Sequence, residues 1–125
     1  MGDPAETMEY NQKSPIYLQI MDYVKMQLVS GAWKAGQRVL PVRELAAGFG
    51  VNPNTMQRAL AELEREGLMY TERTAGRFIT KDEALIAAVR RDTAEKILDE
   101  FIGQMQKIGY SDQQIVALVE KRIEQ

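Results

Sequence analysis

The 125 residues contain no cysteine and no histidine. Disulfides, thiolate nucleophiles, Cys/His zinc centres and imidazole acid–base catalysis are therefore excluded. No apolar run approaches the ~18 residues that span a bilayer. The opening MGDPAETMEY is acidic and polar, whereas a secretory signal needs a basic and then an apolar stretch. At 125 residues the chain is too short for an α/β barrel or a full dinucleotide-binding enzyme fold, and suits one small domain with or without an appendage. These absences leave a soluble, cytoplasmic, non-catalytic protein without a metal or cofactor as the expectation.

What is present is enough to fold. Hydrophobic residues make up 45 % and charged residues 27 %, so the chain can build a core and is not disordered as a whole. The net charge of −2 argues against nonspecific polyanion binding by the whole molecule. Its distribution is uneven. Residues 1–80 balance at nine Lys/Arg and nine Asp/Glu, while residues 81–125 hold seven against nine. Between positions 34 and 58, Lys34, Arg38, Arg43 and Arg58 stand against a single acid, Glu44. A local anion-binding face is compatible with global acidity, because the field near a surface follows the nearest charges.

Start and stop signals divide the chain into three stretches. Residues 1–13 are polar and aperiodic and read as a frayed N-terminal tail. Residues 14–81 open with Ser14 as a helix cap and Pro15 at the first helical position. Tyr17, Ile20, Met21, Val24 and Leu28 then form one apolar stripe, closed by Ser30 and Gly31. Arg38-Val39-Leu40 reads as extended, since the residue before Pro41 is pushed out of the helical region. A second helix fits 42–49 and breaks at Gly50. Asn52-Pro53 starts a third, which runs to about Glu66 with Met56, Ala59, Leu60 and Leu63 inward. Gly67 ends it, and the β-type runs 69–71 and 77–80 around Thr74-Ala75-Gly76 read as a hairpin. Residues 82–125 read as a long helix to about Ile108, a stop at Gly109, and a last helix opened by the capping box Ser111-Asp-Gln-Gln114. The fold class is mainly α with one small hairpin. No internal repeat or low-complexity segment interrupts it.

The segment 42–66, VRELAAGFGVNPNTMQRALAELERE, carries the functional signal. Two short helices meet at a turn containing Gly50, with the small residue Ala46 four positions earlier. A helix-turn-helix needs this arrangement, because the small side chain lets the helices cross closely and glycine accepts the left-handed turn. Asn52, Asn54, Thr55, Gln57 and Arg58 cluster at the start of the second helix, and no acid appears until Glu62. Amides, a hydroxyl and a guanidinium are the groups that read base edges or grip phosphate, and a helix N-terminus offers free N–H groups to an anion. The plain alternative is a solvated helix start in which Asn52 is only a cap. Arg43, at the start of the preceding helix, is a further DNA candidate unless a nearby carboxylate claims it. Arg73 and Arg77 flank the hairpin tip, where a wing would touch backbone or minor groove.

Five segments carry a resemblance: PIYLQI at 15–20, RELA at 43–46, GVNPNT at 50–55, RALAELEREGL at 58–68 and GRFIT at 76–80. Together they resemble the DNA-binding domain of the GntR family of bacterial transcription regulators, and the VNPNT turn with the short two-helix tail resembles its YtrA subfamily. The resemblance implies a winged helix-turn-helix, a homodimer built by the C-terminal helices and a palindromic operator. It also implies that Arg43, the segment from Asn52 to Arg58 and the wing near Arg73 touch DNA. The sequence departs from the family pattern in places. Val39, Leu40 and Pro41 stand where the family reads Leu-Pro-Ser, which removes a phosphate-holding hydroxyl, and proline has no N–H to replace it. Gln57 replaces an arginine common in the family and favours adenine over guanine. In the wing, Thr74, Arg77 and Glu72 replace an expected glycine, threonine and basic residue.

The last 44 residues lack the bulk to enclose a metabolite. Ile97, Phe101, Ile102, Met105, Ile108, Val116, Leu118, Val119 and Ile123 crowd more apolar surface there than two helices can cover. A second copy is the natural cover, since symmetric pairs are the commonest assembly; folding back on the N-terminal domain is the alternative. The reading is therefore a repressor that binds double-stranded DNA as a homodimer. A protein-interaction adaptor that kept the fold and lost DNA binding is the competing class. An enzyme is disfavoured, because no carboxylate pair or lysine stands beside a glycine-rich loop.

Overall fold

The computed structural model describes residues 8–125 in the order α1 (Ile16–Val29), α2 (Val42–Phe49), α3 (Pro53–Arg65), β1 (Met69–Glu72), β2 (Gly76–Ile79), α4 (Glu83–Lys107) and α5 (Asp112–Glu124). The expectation for residues 1–7 lies outside the described residues. Two compact units divide between Arg90 and Arg91.

The first unit is a three-helix core with a hairpin. α1 buries Ile20, Met21, Val24 and Leu28, α2 buries Leu45, Ala46 and Phe49, and α3 buries Met56, Ala59, Leu60 and Leu63. These are the apolar stripes that the 3.6-residue period places on one face of each helix. Leu68, Met69, Ile79, Trp33 and Val39 complete the core. Leu85 and Val89 pack against it as well, so the first unit extends past the expected boundary at 81, into the first turns of α4.

β1 and β2 pair antiparallel with Met69 opposite Ile79 and Glu72 opposite Gly76, leaving Arg73, Thr74 and Ala75 as the tip. Gly76 has φ +108°, a conformation that side chains rarely adopt. The extended segment before α2 adds to β2: the Val39 amide donates to the Arg77 carbonyl at 2.9 Å and the Ile79 amide to the Gln37 carbonyl at 2.8 Å. The wing is thereby tied to the 37–39 segment through residues 77–79 of its second strand.

Two local readings need correction. Ser14 does not cap α1; Pro15, with ψ 143°, occupies the cap position and makes no side-chain cap bond. The serine sits one residue outside, where its carbonyl accepts from Gln19 Nε2 at 2.8 Å. Residues 8–13 are also not a frayed tail. Met8 and Tyr10 pack on the core, the Tyr10 hydroxyl donates to the Phe49 carbonyl at 2.6 Å, and Asn11 and Gln19 exchange backbone–side-chain bonds of 3.0 and 2.9 Å. The phenol satisfies one of the orphan carbonyls that every helix end leaves, and burial pushes its pKa upward from the ordinary 10.0.

The second unit is an α-hairpin of the remaining turns of α4 and all of α5. Gly109, at φ +99°, allows the chain to turn, and Ser111 and Gln114 form the expected reciprocal capping box. Among its described residues only Ile115 is buried.

Candidate nucleic-acid interface

The α2–α3 turn follows from three residues. Gly50 takes the left-handed conformation at φ +69°. Ala46 is 1 % exposed, and the Val51 amide donates back to its carbonyl at 3.0 Å. The chain then re-enters a helix at Asn52, whose Oδ1 accepts from the Asn54 amide at 2.8 Å, with Pro53 supplying the preset φ of the first turn. Asn52 is a cap, as the plain alternative held, and its side-chain NH2 group remains for another partner.

The N-terminal half of α3 presents Asn54, Gln57 and Arg58 to solvent, while Thr55 is half-buried. These side chains lie away from the buried face of Met56, Ala59 and Leu60. No acid stands in the first turn. The three glutamates of the C-terminal half are occupied: Glu62 pairs with Arg65 at 2.8 Å, Glu64 with Arg77 at 3.3 Å and Glu66 with Lys25 at 2.9 Å. The helix thus offers unopposed donors and a positive dipole end at one end, with neutralised carboxylates at the other. Arg43 is exposed on the first turn of α2 and makes no ion pair among the described residues.

The wing distributes its arginines differently from the expectation. Arg73 is exposed at the tip. Arg77, beside the tip on β2, has a side chain only 17 % exposed and paired with Glu64 of α3, which also accepts from the Thr71 hydroxyl at 2.6 Å. The cation that sequence reasoning left out of the site is Arg38. Its exposed side chain lies over Gly76, with Nε and Nη2 at 3.4 and 3.6 Å from where a Cβ on that glycine would stand. The local basic excess between 34 and 58 was its only sequence signal, because the pairing of 38 with 78 is a tertiary event.

α1 contributes one contact that its apolar stripe concealed. The Arg58 guanidinium carbon sits 3.9 Å from the centroid of the Tyr17 ring. Among the described residues no group of three or more acidic, His or Cys residues could hold a metal, and no helix is long and apolar enough to cross a membrane.

Comparison with known proteins accounts for this geometry. The family model for bacterial regulatory proteins of the gntR family matches residues 16–79. The HTH-type transcriptional repressor YtrA of Bacillus subtilis (strain 168) is 35 % identical over 92 residues, which cover 69 % of this chain and 71 % of that protein. A GntR family transcriptional regulator from Listeria monocytogenes superposes with a TM-score of 0.81 at 40 % identity, covering 90 % of this chain and 98 % of that one. The DNA-binding domain of AraR, solved in complex with operator ORX1, superposes with a TM-score of 0.52 at 25 % identity over 58 % of this chain and 93 % of its own. With its winged fold and its acid-free recognition-helix start, the chain belongs to the gntR family of bacterial regulatory proteins, DNA-binding transcription regulators and not enzymes.

Proposed function

We propose that this regulator is a cytoplasmic repressor that binds a palindromic operator as a homodimer. In this reading each α3 enters a major groove, with Asn54, Gln57 and Arg58 toward base edges and Thr55 beside them. Arg43 and the Asn52 amide hold the backbone. Arg73 at the wing tip and Arg38 beside it meet the flanking minor groove or its phosphates, while Arg77 holds the wing to α3. The observation that carries the reading is the start of α3, where Asn52 at the cap and Asn54, Thr55, Gln57 and Arg58 behind it stand without a single acid. The DNA-binding domain of AraR, a related fold solved in complex with operator ORX1, supports operator DNA as the partner.

The homodimer is supported by the second unit. Ile97, Ile108, Val116 and Ile123 are 55, 71, 55 and 78 % exposed. Phe101, Met105, Leu118, Val119 and Ile123 line a shallow apolar cleft of about 290 Å³, and Ile102 is half-buried beside them. A patch of this kind on a single chain marks an interface, and an isologous pair covers it with one surface used twice. Two recognition helices offered together multiply modest half-site affinities.

Fluorescence anisotropy of a labelled fragment from the gene's own promoter, titrated at several salt concentrations against random competitor DNA, tests the reading. Binding that resists the competitor and falls steeply with salt is expected. No binding even at low salt would leave the adaptor reading in its place.

A further inference from the structure

Arg58 does not wave freely in solvent. Its guanidinium carbon lies 3.9 Å from the centre of the Tyr17 ring, although the arginine itself is exposed and makes no ion pair among the described residues. The two residues come from different helices: Tyr17 stands in the first turn of α1, and Arg58 on the second turn of α3. A cation is drawn to the negative face of an aromatic ring. A guanidinium held over a ring keeps its five N–H donors, which lie in its own plane and can still meet a base edge. An unrestrained arginine has more rotamer freedom to lose on docking than one already held by a ring.

We propose that Tyr17 is a positioning residue for DNA recognition, fixing Arg58 so that its N–H edge reads a guanine in each half-site. The proposal rests on the operator-binding reading given above. Guanine is the assigned base because its O6 and N7 acceptors match the fork of an arginine. The neighbouring position bears on this assignment. Gln57, one residue earlier, carries an amide suited to adenine, so the guanidinium on this helix surface is the one held by Tyr17. α1, whose apolar stripe marks it as a core helix, thereby acquires a part in specificity through a residue that is only half-buried. Loss of the ring leaves the charge of Arg58 intact and removes its restraint, so discrimination should suffer more than nonspecific attraction.

The test uses the full chain and a duplex selected by the wild-type protein from a randomised pool, then a panel of duplexes each changed at one symmetric pair of positions. Arg58→Ala is expected to lose discrimination at one G·C position per half-site. Tyr17→Leu is expected to lose it at the same position, with operator affinity down about fivefold per half-site. Tyr17→Phe retains both, because the ring face is kept, and Tyr17→Leu with Arg58→Ala together behave as Arg58→Ala alone. Circular dichroism melts accompany each variant. Should Tyr17→Leu lose its fold, Tyr17→Met gives the same reading, since it fills the site flexibly and still lacks the ring face. Unchanged discrimination in Tyr17→Leu, a uniform loss across the panel, or additive effects in the double variant would overturn the proposal while leaving operator binding standing. Failure of the wild-type chain to select any duplex would instead overturn operator binding, and this proposal with it.

Discussion

Arg77 is held by the fold, whereas the proposed function gives Arg73 to DNA, and Glu64 is the place to probe the difference. Glu64 accepts from Arg77 at 3.3 Å and from the Thr71 hydroxyl at 2.6 Å, and the arginine side chain is only 17 % exposed. Its Nε is already buried without a partner. Glu64→Ala removes the one carboxylate facing a mostly buried guanidinium. A hydrogen bond to a charged group contributes about 1.5–3 kcal/mol. Glu64 is itself 31 % exposed and water screens part of the pair, so a loss of about 2 kcal/mol is expected. For a unit of fewer than a hundred residues that lowers Tm by roughly 8–16 °C, read by differential scanning calorimetry. The DNA arm compares Arg77→Met with Arg73→Ala. Each phosphate contact contributes about 0.9 to the slope of log affinity against log salt. Arg73→Ala is expected to reduce the slope by about that much per half-site, and Arg77→Met to leave it unchanged. A Tm shift of under about 2 °C for Glu64→Ala, or equal slope losses for the two arginine variants, would refute the assignment of Arg77 to the fold.

Three further outcomes follow from the geometry. Tyr10→Phe removes the 2.6 Å bond to the Phe49 carbonyl and should cost about 1 kcal/mol in urea unfolding. Burial raises the Tyr10 pKa in the folded state, so its contribution is complete below the unfolded value of 10.0 and is lost as pH rises above it; the phenylalanine variant should lack that alkaline fall. Gly50→Ala places a side chain at φ +69° with nothing within 4 Å. Strain alone is therefore expected, about 1–2 kcal/mol by thermal melt, with no steric clash to add to it. Ile108→Asp with Ile123→Asp puts charges on residues that are 71 and 78 % exposed in the single chain. The pair should convert a dimer to monomer by light scattering while leaving the melt of the first unit in place.

The helices of the first unit were legible because their information is local. Gly50 and Gly67 break, Asn52-Pro53 restarts, and the stripes of α1, α2 and α3 each place their apolar residues on one face. The exposed polar cluster was legible for the same reason: Asn54, Gln57 and Arg58 are neighbours on one helix. Ser14 and Pro15 were misread by one position, since cap and first-turn proline differ only in ψ, which the residue names do not set. The docking of residues 8–13 carried no periodic signal at all, because Tyr10 is held by one carbonyl at the end of a distant helix.

Composition alone removed thiol, imidazole and Cys/His zinc chemistry, and spacing alone placed the turn between α2 and α3. Tertiary structure decided which charges are free. Arg77 and Arg73 are alike in sequence, yet one is claimed by Glu64 and the other is not; Arg38 reaches the wing only because its strand pairs with Phe78. Arg58 is an exposed helix residue by its period, yet its guanidinium lies over the ring of Tyr17, forty-one positions away. Local propensity follows from a residue and its near neighbours, whereas the fate of a charge depends on what the folded chain brings within a few ångströms of it, and that is set by packing.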